Sequence, residues 1–430
     1  MIEDQVAQLA RAIRNAVIRY RQTGSPPTHR IVRIRRADFT LKYQEDPTIN
    51  NFAPERIEED WWDPHDQEQF QMAVVKQLAE YKSLESEAGV NPGSRDRFAR
   101  SMAVASSHGL EDSVLTERVR AFSLELEGQP LPVTVTAFIS GLSIDESPLI
   151  ISHRFHLRRP TQEDVTECVV IDEYGDQKFP LGDTWFRVVM ELVCDAVYTV
   201  SAQMEFLRTL EALRLFRVGG VATNRFTMRS EHSFSGGTLS GAGRHSRYSY
   251  SLSKADIDSL KLFLHDIVPL LPDPRRLDEG ITEREIAYTR YRDGLLQAGP
   301  SERTITSAIT ALEALFLKTE PELTRRLAQR VSVFLRVLGT HADAQATYDN
   351  VSKGYKIRST FIHGGSIKAK DRPDADSLAP IVLEYARECT LAFYQLTAPK
   401  DELLAKLDHA MIDPASVAQL ASILEPIVHT

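Results

Sequence analysis

Arg358 and His363 have four residues between them in Tyr355-Lys356-Ile357-Arg358-Ser359-Thr360-Phe361-Ile362-His363-Gly364-Gly365. Together they suit metal-free RNA cleavage. The 2′-hydroxyl of RNA is its own nucleophile, so a catalyst need only move protons and neutralise the pentavalent phosphorane. An imidazole can do the first and a guanidinium the second. Ser359 follows the arginine and could hydrogen-bond the phosphate. Spacing alone is weak evidence. With 12 histidines in the chain, roughly one Arg-x4-His match is expected by chance. Arg336 and His341 share the spacing, and Arg225 and His232 have six residues between them. Setting separates the three. Arg358 and His363 end an apolar helical pattern closed by two glycines. Arg336 to His341 reads as a frayed helix end stopped by Gly339, and Arg225 to His232 as a polar strand-to-loop segment.

Two further segments precede the pair. One is Ala311-Leu312-Glu313-Ala314-Leu315, inside the helical pattern from Arg303 to Leu317. The other is Leu323-Thr324-Arg325-Arg326-Leu327-Ala328-Gln329-Arg330. In this order, the three segments resemble the Apea-like HEPN domain over about residues 282–400. The N-terminal two thirds carries no comparable resemblance. The resemblance implies an all-α helical bundle at the C-terminus and a homodimer formed through it. It also implies an endoribonuclease that needs no metal or other cofactor and leaves a 2′,3′-cyclic phosphate and a 5′-hydroxyl. Arg358 and His363 would be catalytic, with Ser359, Glu313 and Arg326 in support. Proteins with this domain resemble bacterial defence and toxin effectors. The alternative is a non-catalytic HEPN module that binds RNA or nucleotide, or serves as a dimerisation scaffold.

Helix geometry bears on the dimer independently. Positions i and i+5 differ by about 140° around a helix, so Arg358 and His363 leave their helix on different faces. A second copy facing the first could complete a phosphate site. His363 precedes Gly364, a candidate C′ residue, and a helix C-terminus favours a protonated imidazole. Glu313 is polar within an apolar segment and is expected to orient Arg358 or Arg326 through an ion pair. Arg325, Arg326 and Arg330 form either a solvated face or a phosphate track. Lys353, Lys356, Lys368 and Lys370 supply local positive charge, with Lys356 and Lys368 as RNA-binding candidates. A Gly/Ser-rich loop over 235–247 adds Arg244 and Arg247. It lacks the G-K-[S/T] of a phosphate-binding P-loop, and it reads foremost as a surface loop.

Composition sets the frame. At 430 residues with a net charge of −9, the chain is long enough for two or more domains and is not a globally basic nucleic-acid coat. Cys168, Cys194 and Cys389 are far apart and form no zinc-spaced cluster. They read as buried thiols in a reducing compartment, and a metal-dependent hydrolase is disfavoured. The acidic start lacks an apolar signal core, and no run approaches the ~18 apolar residues of a membrane span. A soluble cytoplasmic protein is expected.

The expected fold class is α+β. Residues 1–273 would form a mixed region with an antiparallel sheet and helices, either whole or as two subdomains with a break near 90–118. Its role would be to recognise RNA, a trigger or a partner protein. Residues 274–430 would form the HEPN-like helical domain with a helical tail. In the first region, periodicity predicts helices over 4–23 and 67–84, a polar connection over 89–101, and a long helix over 185–216. Strands are predicted over 31–43, 122–127, 133–139, 149–157 and 218–227, those between 122 and 157 as a meander. Trp61 and Trp62 fit a local core better than a partner anchor. A helix with Ser253 as N-cap is expected over 253–271. After 274 the pattern predicts helices over 282–297, 301–319, 321–338, 343–363 and 376–397, with a tail at 400–427.

Overall fold

The computed structural model describes residues 2–23, 29–36, 54–61, 70–85, 92–107, 110–161, 170–171, 177–178, 188–197, 199–229, 238–240, 246–274, 282–318, 322–425 and 427. The chain is broadly α+β, with an antiparallel sheet in its N-terminal half and helices in its C-terminal part. Among the described residues no helix is long and apolar enough to cross a membrane. Two compact units result, each assembled from separate stretches.

The first unit comprises 1–138, 154–205 and 224–241. Helix α1 (Ile2–Thr23) buries the apolar stripe Val6, Leu9, Ile13 and Val17. These residues share one core with Phe98 and Met102 of α3 (Pro92–Ser107) and with Leu115, Val119 and Phe122 of α4 (Asp112–Leu126). Phe98 and Phe122 stack with centroids 4.2 Å apart. Strands β1 (His29–Arg36) and β2 (Pro54–Trp61) pair antiparallel, from His29↔Trp61 to Arg36↔Pro54. Residues 37–43, Trp62 and Cys168 lie outside the described residues. A larger sheet has neighbouring strands in the order β11 (Thr238–Ser240), β10 (Ala222–Arg229), β3 (Leu131–Ser140), β9 (Val188–Ala196), β6 (Phe155–Arg158). β6 and β9 are antiparallel, with Phe155 opposite Leu192.

Several expectations in this region are corrected. The supposed connection over 89–101 runs largely in helix α3. Its polar residues mask a helical set, Phe98, Ala99 and Met102, that is fully buried. The strand expected over 122–127 is the end of α4, whose core residues Leu115, Val119 and Phe122 keep helical spacing. The helix expected over 185–216 divides into β9 and helix α5 (Thr199–Phe216). In β9 burial alternates from Met190 to Ala196, the period of a strand. The helix expected over 67–84 is interrupted: a 3₁₀ turn at Val75–Gln77 is followed by extended Leu78, and α2 (Ala79–Glu85) starts after it. The 149–157 stretch is two strands, β5 (Leu149–Ser152) and β6. The strands do not form a simple meander, because β9 lies between β3 and β6.

The second unit comprises 139–153, 206–223 and 242–430. The short strands β4 (Leu142–Ile144) and β12 (Tyr250–Leu252) pair parallel. Ser253 and Asp256 form the expected capping box ahead of α6 (Ile257–Ile267). A second box, Thr282 with Glu285, opens α7 (Glu283–Leu296). Then follow α8 (Ser301–Phe316), α9 (Leu323–Leu338), α10 (Ala344–Ile362), α11 (Arg372–Gln395), α12 (Lys400–Ala410) and α13 (Pro414–Leu424), close to the expected spans. Helix α8 is central and packs against α7, α9, α10 and α11. Its Phe316 meets Phe334 of α9 and Phe393 of α11, both edge-on with centroids 5.2 Å apart.

The last turn of α5 is anchored within this unit. A helix leaves its final carbonyls without internal partners. Here Tyr250 Oη donates to Leu213 O at 2.8 Å, Tyr291 Oη to Arg214 O at 2.7 Å, and Arg387 Nη1 to Leu215 O at 2.6 Å. Burial pushes both phenols up, so they stay neutral donors. The Arg387 charge also complements the negative end of the helix.

Candidate functional site

Helix α10 carries the Arg/His pair, and its packing face is set by small residues. Thr347, Val351 and Gly354 are buried along one side. A Cβ on Gly354 would lie 2.9 Å from Ile309 Cδ1 of α8, so glycine allows close approach there. Arg358 is one turn further along the same side. Its Nη2 meets Glu313 Oε2 of α8 at 2.8 Å, and its Nε donates to Thr310 Oγ1 at 3.4 Å. The Tyr355 ring centroid lies 5.6 Å from the guanidinium carbon. Burial raises the Glu313 pKa, while the Arg358 charge opposes the rise. Of the two arginines considered for Glu313, Arg358 is the partner. A guanidinium has five N–H groups, and those beyond these two contacts have no partner among the described residues. Arg358 is therefore fixed on one edge and open on the other.

The helix ends as the glycines demand. Gly364 has φ +77°, its N–H bonds Phe361 O at 3.1 Å, and the Gly365 N–H bonds Thr360 O at 2.9 Å. That is the Schellman pattern, with Gly364 at C′. The second glycine is needed for space, since a Cβ there would approach Thr360 Cγ2 to 2.7 Å. His363 is the exposed C-cap residue, and its ring has no partner among the described residues. The divergence expected from the spacing is present: Arg358 turns toward α8 and His363 toward solvent. Ser359 is half-buried, and its carbonyl accepts the His363 N–H at 3.2 Å.

Residues 355–370 carry Lys356, Arg358, Lys368 and Lys370 and no carboxylate. All three lysines are exposed and without an ion-pair partner among the described residues. Lys353 pairs with Asp374 at 2.9 Å.

The other candidates are placed differently. Arg330 must be withdrawn as an RNA contact. Its side chain is 3% exposed, and it holds Asp408 through Nε and Nη2, both at 2.8 Å, and Phe316 O through Nη1 at 2.7 Å. The signal was its register: Leu327, Arg330, Val331 and Phe334 share one buried stripe. Arg326 lies 3.9 Å from the same Asp408, and exposed Arg325 pairs with Glu322 at 2.8 Å. Arg247 donates to Ser301 Oγ at 3.0 Å and to Gly299 O, which ties it to the start of α8. Arg244 and His232 lie outside the described residues, as does the Arg225 side chain. Arg336 is exposed, and Gly339 at φ +86° ends its helix as expected. His341 instead makes a half-buried ion pair with Glu388 at 2.9 Å. Sequence reasoning missed Thr310 and Gly354, whose roles depend on how α8 and α10 meet.

Cys194 and Cys389 are buried free thiols, pushed up by burial. Among the described residues no group of three or more His, Cys, Asp or Glu side chains is arranged to hold a metal ion. No protein-family model, curated protein or solved structure matches this chain.

Proposed function

We propose that the chain is a metal-independent endoribonuclease whose C-terminal helices form a HEPN-type bundle. Arg358 neutralises the phosphorane and His363 moves protons. The 2′-oxygen attacks its own phosphorus, the 5′-oxygen leaves with a proton, and a 2′,3′-cyclic phosphate and a 5′-hydroxyl result. The observation that carries this reading is the state of the two groups. Arg358 is braced by Glu313 at 2.8 Å with donors to spare, and His363 is unpartnered among the described residues at the end of the same helix. Exposed Lys356, Lys368 and Lys370 in a carboxylate-free stretch provide local electrostatic attraction for RNA. A homodimer supplies the second half of the site, and the cellular role is a defence or toxin effector acting in the cytoplasm.

A second reading is a non-catalytic module that binds RNA or nucleotide. The divergence of Arg358 and His363 favours it, because one chain alone does not bring both groups to one phosphate. Incubating wild type, Arg358→Ala and His363→Ala with total RNA in EDTA separates the two. The expected result is cleavage by wild type, with at least a hundredfold loss in each variant and an unchanged melting temperature in His363→Ala. Binding by wild type without cleavage would establish the second reading. Equal cleavage by His363→Ala would remove His363 from the chemistry.

A further inference from the structure

Arg358 sits on a flexible stem, so its use to a phosphate depends on what fixes the plane of its guanidinium. The ion pair alone does not. One contact, from Nη2 to Glu313 Oε2 at 2.8 Å, leaves the group free to rotate about it. The second restraint is Thr310, whose Oγ1 accepts from Nε at 3.4 Å. Nε and Nη2 are the two ends of one edge of the planar fork. Thr310 and Glu313 are three residues apart on α8, and helix positions i and i+3 are surface neighbours, about 5–6 Å apart at Cβ. Two acceptors at that spacing can grip one edge together. The approach of α10 makes the reach possible, since Gly354 brings it close against Ile309, the residue before Thr310.

The hydroxyl is prepared for this task. Thr310 Oγ1 donates its only proton to Thr306 O at 2.8 Å, one turn back on α8. Toward Arg358 it can therefore only accept. At 3.4 Å the bond is long and adds little strength, so its effect is directional. With the Nε–Nη2 edge occupied, the remaining N–H groups lie on Nη1 and on the far side of Nη2. That end of the fork matches two oxygens of one phosphate, and its N–H groups have no partner among the described residues. We propose that Thr310 is a positioning residue for Arg358, holding Nε so that the Nη1–Nη2 end of the guanidinium meets two oxygens of the substrate phosphate. The inference rests on the reading of Arg358 as the phosphate-binding group.

The test compares kcat and kcat/KM for RNA cleavage across variants of the full chain. Binding of a 2′-O-methyl RNA oligonucleotide, which cannot attack itself, is followed in parallel by fluorescence anisotropy. Thr310→Val keeps the shape of the side chain and removes the oxygen. It should lower kcat and kcat/KM together by about fivefold or more, as loss of an aligning contact in the transition state does. Thr310→Ser restores the oxygen and should bring the rate back to within about twofold of wild type. Lysine carries the charge but no Nε–H, so in an Arg358→Lys background Thr310→Val should add no further loss in rate or affinity. Wild-type kcat/KM in Thr310→Val would overturn the proposal and leave the ribonuclease reading standing. So would equal losses in Thr310→Ser and Thr310→Val, which would make shape rather than the oxygen the cause. A valine loss that persists at full size in the lysine background would do the same. If wild type binds but does not cut, affinity decides by the same comparisons. Wild type that neither cuts nor binds RNA would overturn the reading of Arg358 and this proposal with it.

Discussion

His341 shows how a residue type suited to chemistry can be spent on structure. It shares the Arg-x4-His spacing with His363, but it lies 2.9 Å from Glu388 of α11 and edge-on to Tyr385, with ring centroids 4.8 Å apart. The paired atoms sit at ion-pair distance and are not aligned for a hydrogen bond. Glu388 raises the His341 pKa against the opposing effect of burial. For Glu388, burial works to raise the pKa, but His341 and Arg387 outweigh it and hold the carboxyl below its usual range. The linkage signs follow. The histidine contribution to stability is complete below its unfolded pKa of about 6.5 and is lost as pH rises through the raised folded value. The glutamate contribution is complete above about pH 4.3 and is lost as pH falls through the lowered folded value. His341→Ala should therefore cost most melting temperature between about pH 5 and 6.5 and less above pH 8. Scanning calorimetry at both ends of that range is the check, and an equal deficit at both would mean the pair contributes only packing.

At the scale of elements, the C-terminal helices were legible and much of the first unit was not. Helices α7 to α11 carry 3.6-period buried stripes, α7 and α10 open on side-chain caps, and α9 and α10 close on glycines, so local signals and tertiary packing agree. The strand β9 misled because Val188 to Ala196 precedes a true helix and has enough apolar residues to extend its pattern backwards. Helix α3 misled because Gly93, Ser94, Arg95 and Asp96 read as a turn while Phe98 and Met102 were hidden in the core. In the site, the Gly364 stop and the Glu313 partnership could be read from the sequence. Thr310 could not, because the packing of α8 against α10 decides it. The helix end offers a direct test. Gly364 has φ +77° and open space where a Cβ would stand, so Gly364→Ala meets only the backbone cost of a left-handed residue, about 1–2 kcal/mol. The same change disturbs the turn that follows His363, so cleavage should fall by more than that stability loss explains. Gly364→Asn, which tolerates the left-handed region better, should recover both. Chemical denaturation and RNA cleavage measured side by side decide it, and an alanine variant with full activity would separate the helix stop from the site.

For the whole molecule, the question is how an acidic chain with net charge −9 would assemble the proposed phosphate site from groups that diverge on one helix. Arg358 faces α8, whereas His363 and its neighbour Ile362 are exposed, the isoleucine by 53%. A solvent-facing apolar residue beside an unpartnered histidine fits a surface that a second copy covers. In a symmetric dimer the same patch serves both partners, so the α10 ends would meet near the twofold axis. Each phosphate would then take its arginine from one copy and its histidine from the other. Arg358→Ala and His363→Ala proteins, each inactive alone, should complement when mixed under conditions of subunit exchange. With random pairing, half of the dimers are mixed and each holds one intact composite site, so recovery should approach about a quarter of the wild-type rate. Activity of wild type should also fall on dilution through the dimer dissociation range, with sedimentation following the same midpoint. No recovery from a mixture proven to exchange would place the working pair within one chain. A strict monomer cutting at full rate would do the same, and would require the helix between Arg358 and His363 to bend during catalysis.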